Sequence, residues 1–162
     1  MAQADFFLKL DGITGESQDD KHKDEIQLYS VTFGVSNQGA GAFGKGSGAS
    51  KSDVHDIVVT KLTDKSTPEL FKKCATGKHV DTGIITMRKA GGDAPVEYLV
   101  IKLTEVFISN FNVGATDGGG IAQETVGLNF SKIEFDYTPQ NADGSAGAAV
   151  TGSWNIKTSE AA

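Results

Sequence analysis

The sequence predicts a mainly β protein: a small β-barrel of two packed antiparallel-rich sheets with one short flanking α-helix. Most of the chain divides into short runs of β-branched and aromatic residues separated by glycine-rich turns. Only residues 64–79 read as helix. Two long strand segments, residues 25–35 and 121–137, change the parity of their apolar residues partway, as strands do where a sheet bends onto another. At 162 residues the chain suits one domain, residues 1–162, with a substantial core.

Residues 6–10 form the first strand, which stops at the Asp11-Gly12 turn. Residues 15–24 are polar. Their Glu16, Asp19, Asp20, His22 and Asp24 invite a metal reading, but interspersed lysines and the lack of a recognised ligand spacing favour a solvated loop. In the second strand Ile26 and Leu28 share one parity, and Val31, Phe33 and Val35 the other. The opposite face of its second half, Ser30, Thr32 and Gly34, is small and polar and must be wet, on an outer surface or around a channel. Residues 36–52 form an extended Gly-rich loop, too long to be only a connector. Within it Gly39 to Lys45 fits G-x-x-x-x-G-K. Gly46 replaces the magnesium-binding Ser or Thr and no helix follows, so a nucleotide site is rejected. A third strand covers residues 53–61.

The helix signal is the densest in the chain. Ser66 lies three residues before Glu69, the capping-box spacing, and Pro68 sits in the first turn. Leu70, Phe71 and Cys74 make one narrow apolar face, and Gly77 suits a left-handed stop. A helix this short needs a surface to dock on. Residues 82–89 are a strand leading to the hairpin signal Ala90-Gly91-Gly92-Asp93. Residues 96–108, apolar on both faces, read as a central strand. After the loose glycines of 114–120 comes the second parity-switching segment, from Val126, Leu128 and Phe130 to Ile133, Phe135 and Tyr137. Residues 150–157 supply a final strand carrying Trp154, and 158–162 read as a frayed tail.

No catalytic constellation emerges. His22, His55 and His79 form no metal pair, and no G-x-S-x-G elbow is present. Cys74 with His79 could make a nucleophile, but Cys74 lies on the apolar helix face and reads as an inert thiol. One cysteine excludes an internal disulfide framework. A net charge of −6 argues against general nucleic-acid binding, and no apolar run approaches a membrane span. The N-terminus lacks a basic region followed by an apolar one, so synthesis in the cytoplasm is expected. An enzyme is not expected, nor a cofactor, metal or membrane insertion.

Asp64-Lys65-Ser66-Thr67-Pro68 with Leu70, Cys74, Gly77, Lys78 and His79 resembles the hallmark segment of the haemolysin-coregulated protein (Hcp) family of type VI secretion. Gly15-Glu16-Ser17, Arg88-Lys89-Ala90-Gly91-Gly92, Val96-Glu97-Tyr98-Leu99, Pro139-Gln140, Ala142-Asp143-Gly144 and Trp154-Asn155-Ile156 agree in order along the chain. The chain departs at residues 36–52, and Ser153 stands where the resemblance leads one to expect glycine. The resemblance implies six copies closing into a ring and rings stacking into a tube. A contractile sheath would drive that tube with a spike protein, and small effectors would ride in its lumen. The protein would then reach the extracellular space or a target cell without a signal peptide. Combined with the residue patterns, it leads to three expectations. Ser30 and Thr32 face the lumen. Gly39, Gly41, Phe43, Gly44, Gly46 and Gly48 belong to an arm reaching a neighbouring subunit. Ala90, Gly91 and Gly92 touch the next ring. A non-enzymatic binding module and a phage-tail-tube-like protein remain the rival readings.

Overall fold

The computed structural model describes residues 4–39, 51–89 and 94–161. Among the described residues twelve strands and one helix follow in the order β1 (Ala4–Leu10), β2 (Ile26–Leu28), β3 (Ser30–Thr32), β4 (Val35–Asn37), β5 (Ser52–Val54), β6 (Ile57–Leu62), α1 (Thr67–Thr76), β7 (Val80–Lys89), β8 (Val96–Gly114), β9 (Gln123–Asn129), β10 (Lys132–Tyr137), β11 (Val150–Asn155) and β12 (Glu160–Ala161). Every pairing is antiparallel. No helix among the described residues is long and apolar enough to cross a membrane.

The 19-residue β8 holds the two sheets together. Its first half pairs with β7 on one side and β10 on the other, within the order β12-β11-β10-β8-β7-β1-β2. Its second half leaves that sheet and pairs with β9, which continues through β6 to β3. Two backbone devices make the turn. Glu105 adopts φ 51°, the left-handed region, in mid-strand. A bulge between Ile108 and Asn110 then sets Ser109 out of register.

The two parity switches are corners of the same kind. Ile26 and Leu28 point inward from β2, paired with β1, while Val31 points inward from β3, paired with β6. Tyr29 lies between them, 58% exposed, its N–H donating to the Thr60 carbonyl at 2.8 Å. Val126 and Leu128 are buried along β9 and Phe130 just beyond its end, the chain bends at Ser131, and Ile133 is buried from β10 in the other sheet. The shared core between the sheets is aliphatic, with Leu8, Ile57, Val59, Ile85, Ile101 and Leu128 at its centre.

Two packed sheets with one flanking helix agree with the sequence-based expectation, but the sheet is not closed into a barrel. Four further differences are local. The capping box does not form: the Ser66 hydroxyl donates to the Asp64 carboxylate, which also accepts the Ser66 N–H at 2.8 Å, and no side chain caps α1. Glu69 instead pairs with Lys72. Gly77 does end the helix, at φ 69°, its N–H returning to the Lys73 carbonyl. The expected strand 53–61 is two, because β5 turns back on β4 and only β6 joins the large sheet. Thr158 onward, expected to fray, continues into β12, which pairs with the end of β11. Lys102, exposed on the outer face of β8, means that this central strand is not covered along both faces.

Candidate functional site

The wet face expected around Ser30 and Thr32 extends across four strands. Cross-strand register aligns Ser30, Thr60, Thr125 and Asn112 in one row, and Thr32, Val58, Gly127 and Asn110 in the next. Ser30 is half-buried, its hydroxyl 2.6 Å from that of Thr60, whereas Thr32, Thr125, Asn110 and Asn112 are exposed. These two rows contain hydroxyls, amides, one glycine and one valine, and no charge. The opposite parity of the same strands supplies the core: Val31, Val59 and Val126 pack inward. Period-two alternation therefore produces one dry face and one neutral polar face. Such a face is well hydrated, and its hydrogen bonds to a passing surface replace hydrogen bonds to water at little net gain.

Unlike apolar surfaces flank this face. On the β3 side a cavity of about 1000 Å³ opens between the β4–β5 ribbon and the β10–β11 face, lined by Phe33, Val54, Phe130, Phe135, Trp154 and Ile156. Phe33 meets Phe135 at 5.5 Å between ring centres and Phe130 at 6.2 Å. On the β8 side Phe71, Val113 and Ile121 are exposed by 60%, 56% and 66%. Phe71 was expected to share the buried face of α1 with Leu70. It sits instead a hundred degrees round the helix and touches Phe111 edge-on at 6.3 Å, while Leu70 alone is fully buried.

α1 is placed by a charged clasp that sequence reasoning missed. Lys61 and Glu124, direct cross-strand partners on β6 and β9, are both fully buried and 2.9 Å apart. The Lys61 ammonium also reaches Asp64 at 3.1 Å, and the Thr67 hydroxyl donates to Glu124 at 2.6 Å. Asp64, Ser66 and Thr67 of the hallmark segment thus bind the helix N-terminus to the pair. A signal existed: Lys61 shares the parity of Ile57 and Val59, and Glu124 that of Val126 and Leu128.

A second cluster fixes the 14–25 loop to the outer face of the first sheet. Arg88 grips Asp19 through both carboxylate oxygens at 3.0 and 2.6 Å, reaches Asp5 at 3.1 Å, and lies 5.0 Å from the Phe7 ring centre. The Arg88 hydrogen bond holds the Asp19 carboxyl at about 2, below its ordinary 3.8, and Asp19 in turn raises the Arg88 guanidinium. Asp19 is thus committed to its pair with Arg88, and no group of three metal-ligating side chains occurs among the described residues. Cys74 is half-buried against the core and His79 is exposed. Of the expected arm, Gly39 is exposed with open space around it, whereas Gly41, Phe43, Gly44, Gly46 and Gly48 lie outside the described residues. Ala90, Gly91 and Gly92 also lie outside them.

Comparison with known proteins gives a consistent result. The model of the family described as type VI secretion system effector, Hcp, matches residues 7–137. Protein hcp1 of Pseudomonas aeruginosa is 42% identical over 154 residues, which cover 94% of this chain and 95% of that protein. The crystal structure of Hcp1 from Salmonella typhimurium superposes with a TM-score of 0.79 at 34% identity, covering 100% of both chains. A structure described as that of a type six secretion system protein superposes with a TM-score of 0.92 at 28% identity, covering 99% of this chain and 100% of that one.

Proposed function

The chain belongs to the Hcp family of type VI secretion proteins, and on that premise we propose that it is a structural subunit of the secretion tube. Six copies close into a ring, and rings stack into a tube that a contractile sheath propels behind a spike. Small effectors travel in the lumen, and the subunit is itself released outside the cell or into a target cell. The observation that carries this reading is the neutral polar face of β3, β6, β9 and the second half of β8. A channel that carries folded cargo requires a hydrated wall without strong charge, and Ser30 and Thr32 belong to such a wall. A ring also requires two different adhesive surfaces on each subunit. The cavity on the β3 side and the Phe71–Val113–Ile121 surface on the β8 side are unlike in shape and flank the polar face. In this arrangement residues 39–50 reach a neighbour, and residues 90–92 meet the next ring.

Phe71→Asp and Ile121→Asp place a charge on one of the two surfaces without touching the polar face. Light scattering on a sizing column is expected to give a mass of six chains for the parent protein and a smaller mass for the double variant. A parent protein that is monomeric over a wide concentration range would overturn the reading and return the chain to a binding module.

A further inference from the structure

His22 is buried, 6% exposed, in a loop that is otherwise polar. Its ring lies on Phe7 of β1, 4.4 Å between centres and 10° from parallel. Nδ1 is 2.8 Å from Glu25 Oε2, at the end of the same loop, and Nε2 is 2.8 Å from Glu97 Oε1, near the start of β8. Ionised carboxylates only accept hydrogen bonds, so both contacts are hydrogen bonds only when both ring nitrogens carry protons. The contacts bridge two parts of the chain 75 residues apart. Arg88 of β7 is engaged by Asp19 and Asp5 through its two terminal nitrogens, while its buried Nε has no hydrogen-bond partner among the described residues. Glu25 and Glu97 therefore face His22 as their cation.

We propose that His22 is a protonation-gated latch: as an imidazolium it ties the 14–25 loop to β8, and loss of one ring proton releases that loop. Deprotonation leaves a nitrogen lone pair against a carboxylate, which converts one charge-assisted hydrogen bond into a repulsive contact. Glu97 is the arm that opens, because its side chain is 39% exposed against 14% for Glu25 and can rehydrate. The loop's own backbone bonds report the event: Ser17 N–H to the Glu25 carbonyl, Asp24 N–H to Ser17, and Gly15 N–H to Asp24. The Arg88–Asp19 pair keeps the loop attached at its other point, so the change is a local opening and not global unfolding. The proposal goes beyond the tube reading, and its test works on the protein in any assembly state.

The test pairs two measurements on the full chain across the pH range over which the His22 ring loses a proton. Ring-nitrogen NMR spectra follow protonation of His22, and hydrogen exchange gives protection factors for Gly15, Ser17 and Asp24. Protection is expected to fall about tenfold or more in step with loss of the His22 proton, the loss of one charge-assisted bond. Glu97→Gln, which offers Nε2 either an acceptor or a donor, is expected to keep the loop closed at every pH. His22→Phe, which preserves the stack on Phe7, is expected to show low protection at every pH with no step. Protection that stays constant while His22 titrates, or a pH step that survives in either variant, would overturn the proposal.

Discussion

Removing the cation from the buried clasp under α1 should be among the most damaging single changes in the protein. Lys61→Met keeps length and apolar volume but leaves the fully buried Glu124 with the Thr67 hydroxyl, at 2.6 Å, as its remaining hydrogen-bond donor. It also strips Asp64 of its ammonium partner at 3.1 Å. Breaking one side of a buried ion pair typically costs about 3–5 kcal/mol, because the surviving charge has lost both water and partner. At about 2–4 °C per kcal/mol for a chain of this size, the melting temperature should fall by roughly 10 °C. Lys61→Met with Glu124→Leu removes both charges and should recover most of the loss, since an apolar pair of similar volume is typically about neutral or stabilising. Thermal unfolding followed by circular dichroism, with hydrogen exchange along α1, reads both effects. A single variant costing less than about 1 kcal/mol, or a double variant no better than the single one, would refute the assignment of the clasp as the anchor of the helix.

Three further outcomes follow from the geometry. Asp19 is held at about 2 by Arg88, so its contribution is complete above its unfolded value near 3.8 and is lost as pH falls from there through about 2. Acid-unfolding curves should therefore separate for the parent protein and Asp19→Asn above pH 4 and converge at lower pH. Glu105 occupies left-handed backbone at φ 51°, so Glu105→Val should be less stable than Glu105→Gly by about 1–2 kcal/mol in urea unfolding. Gly15 has the Glu25 carbonyl oxygen where a Cβ would sit, and backbone cannot yield as a side chain does. Gly15→Ala should destabilise by about 1–3 kcal/mol and expose the 14–25 loop to proteolysis.

Strands and corners were legible because they follow from period-two alternation. The parity changes at Tyr29 and at Ser131 marked the places where the chain passes between sheets, and the wet face of Ser30 and Thr32 followed from the same alternation. Openness was not legible, because closure depends on which strands meet at the ends of a sheet and not on any strand's own pattern. The capping box failed for a local reason: Asp64, two residues earlier, captures the Ser66 hydroxyl and N–H. The three-residue spacing from Ser66 to Glu69 carries no information about that competitor. The charged clusters lay furthest from view. Lys61 with Glu124, and His22 with Glu97, join segments dozens of residues apart, and only the inward parity of Lys61 and Glu124 hinted at one of them. Leu70 and Phe71 show a limit of helix periodicity, since adjacent apolar residues diverge by about 100° and only one can reach the core.

The central claim is that the neutral polar face of β3, β6, β9 and β8 lines a channel, and size-restricted labelling tests it most directly. Thr32→Cys in a Cys74→Ser background places one reactive thiol on that face. In the assembled protein, a small maleimide should react with it fully, and a maleimide carried on a large folded protein should not react. Equal labelling by both reagents would mean that Thr32 lies on an open surface, and the assignment of that face to a channel wall would be contradicted.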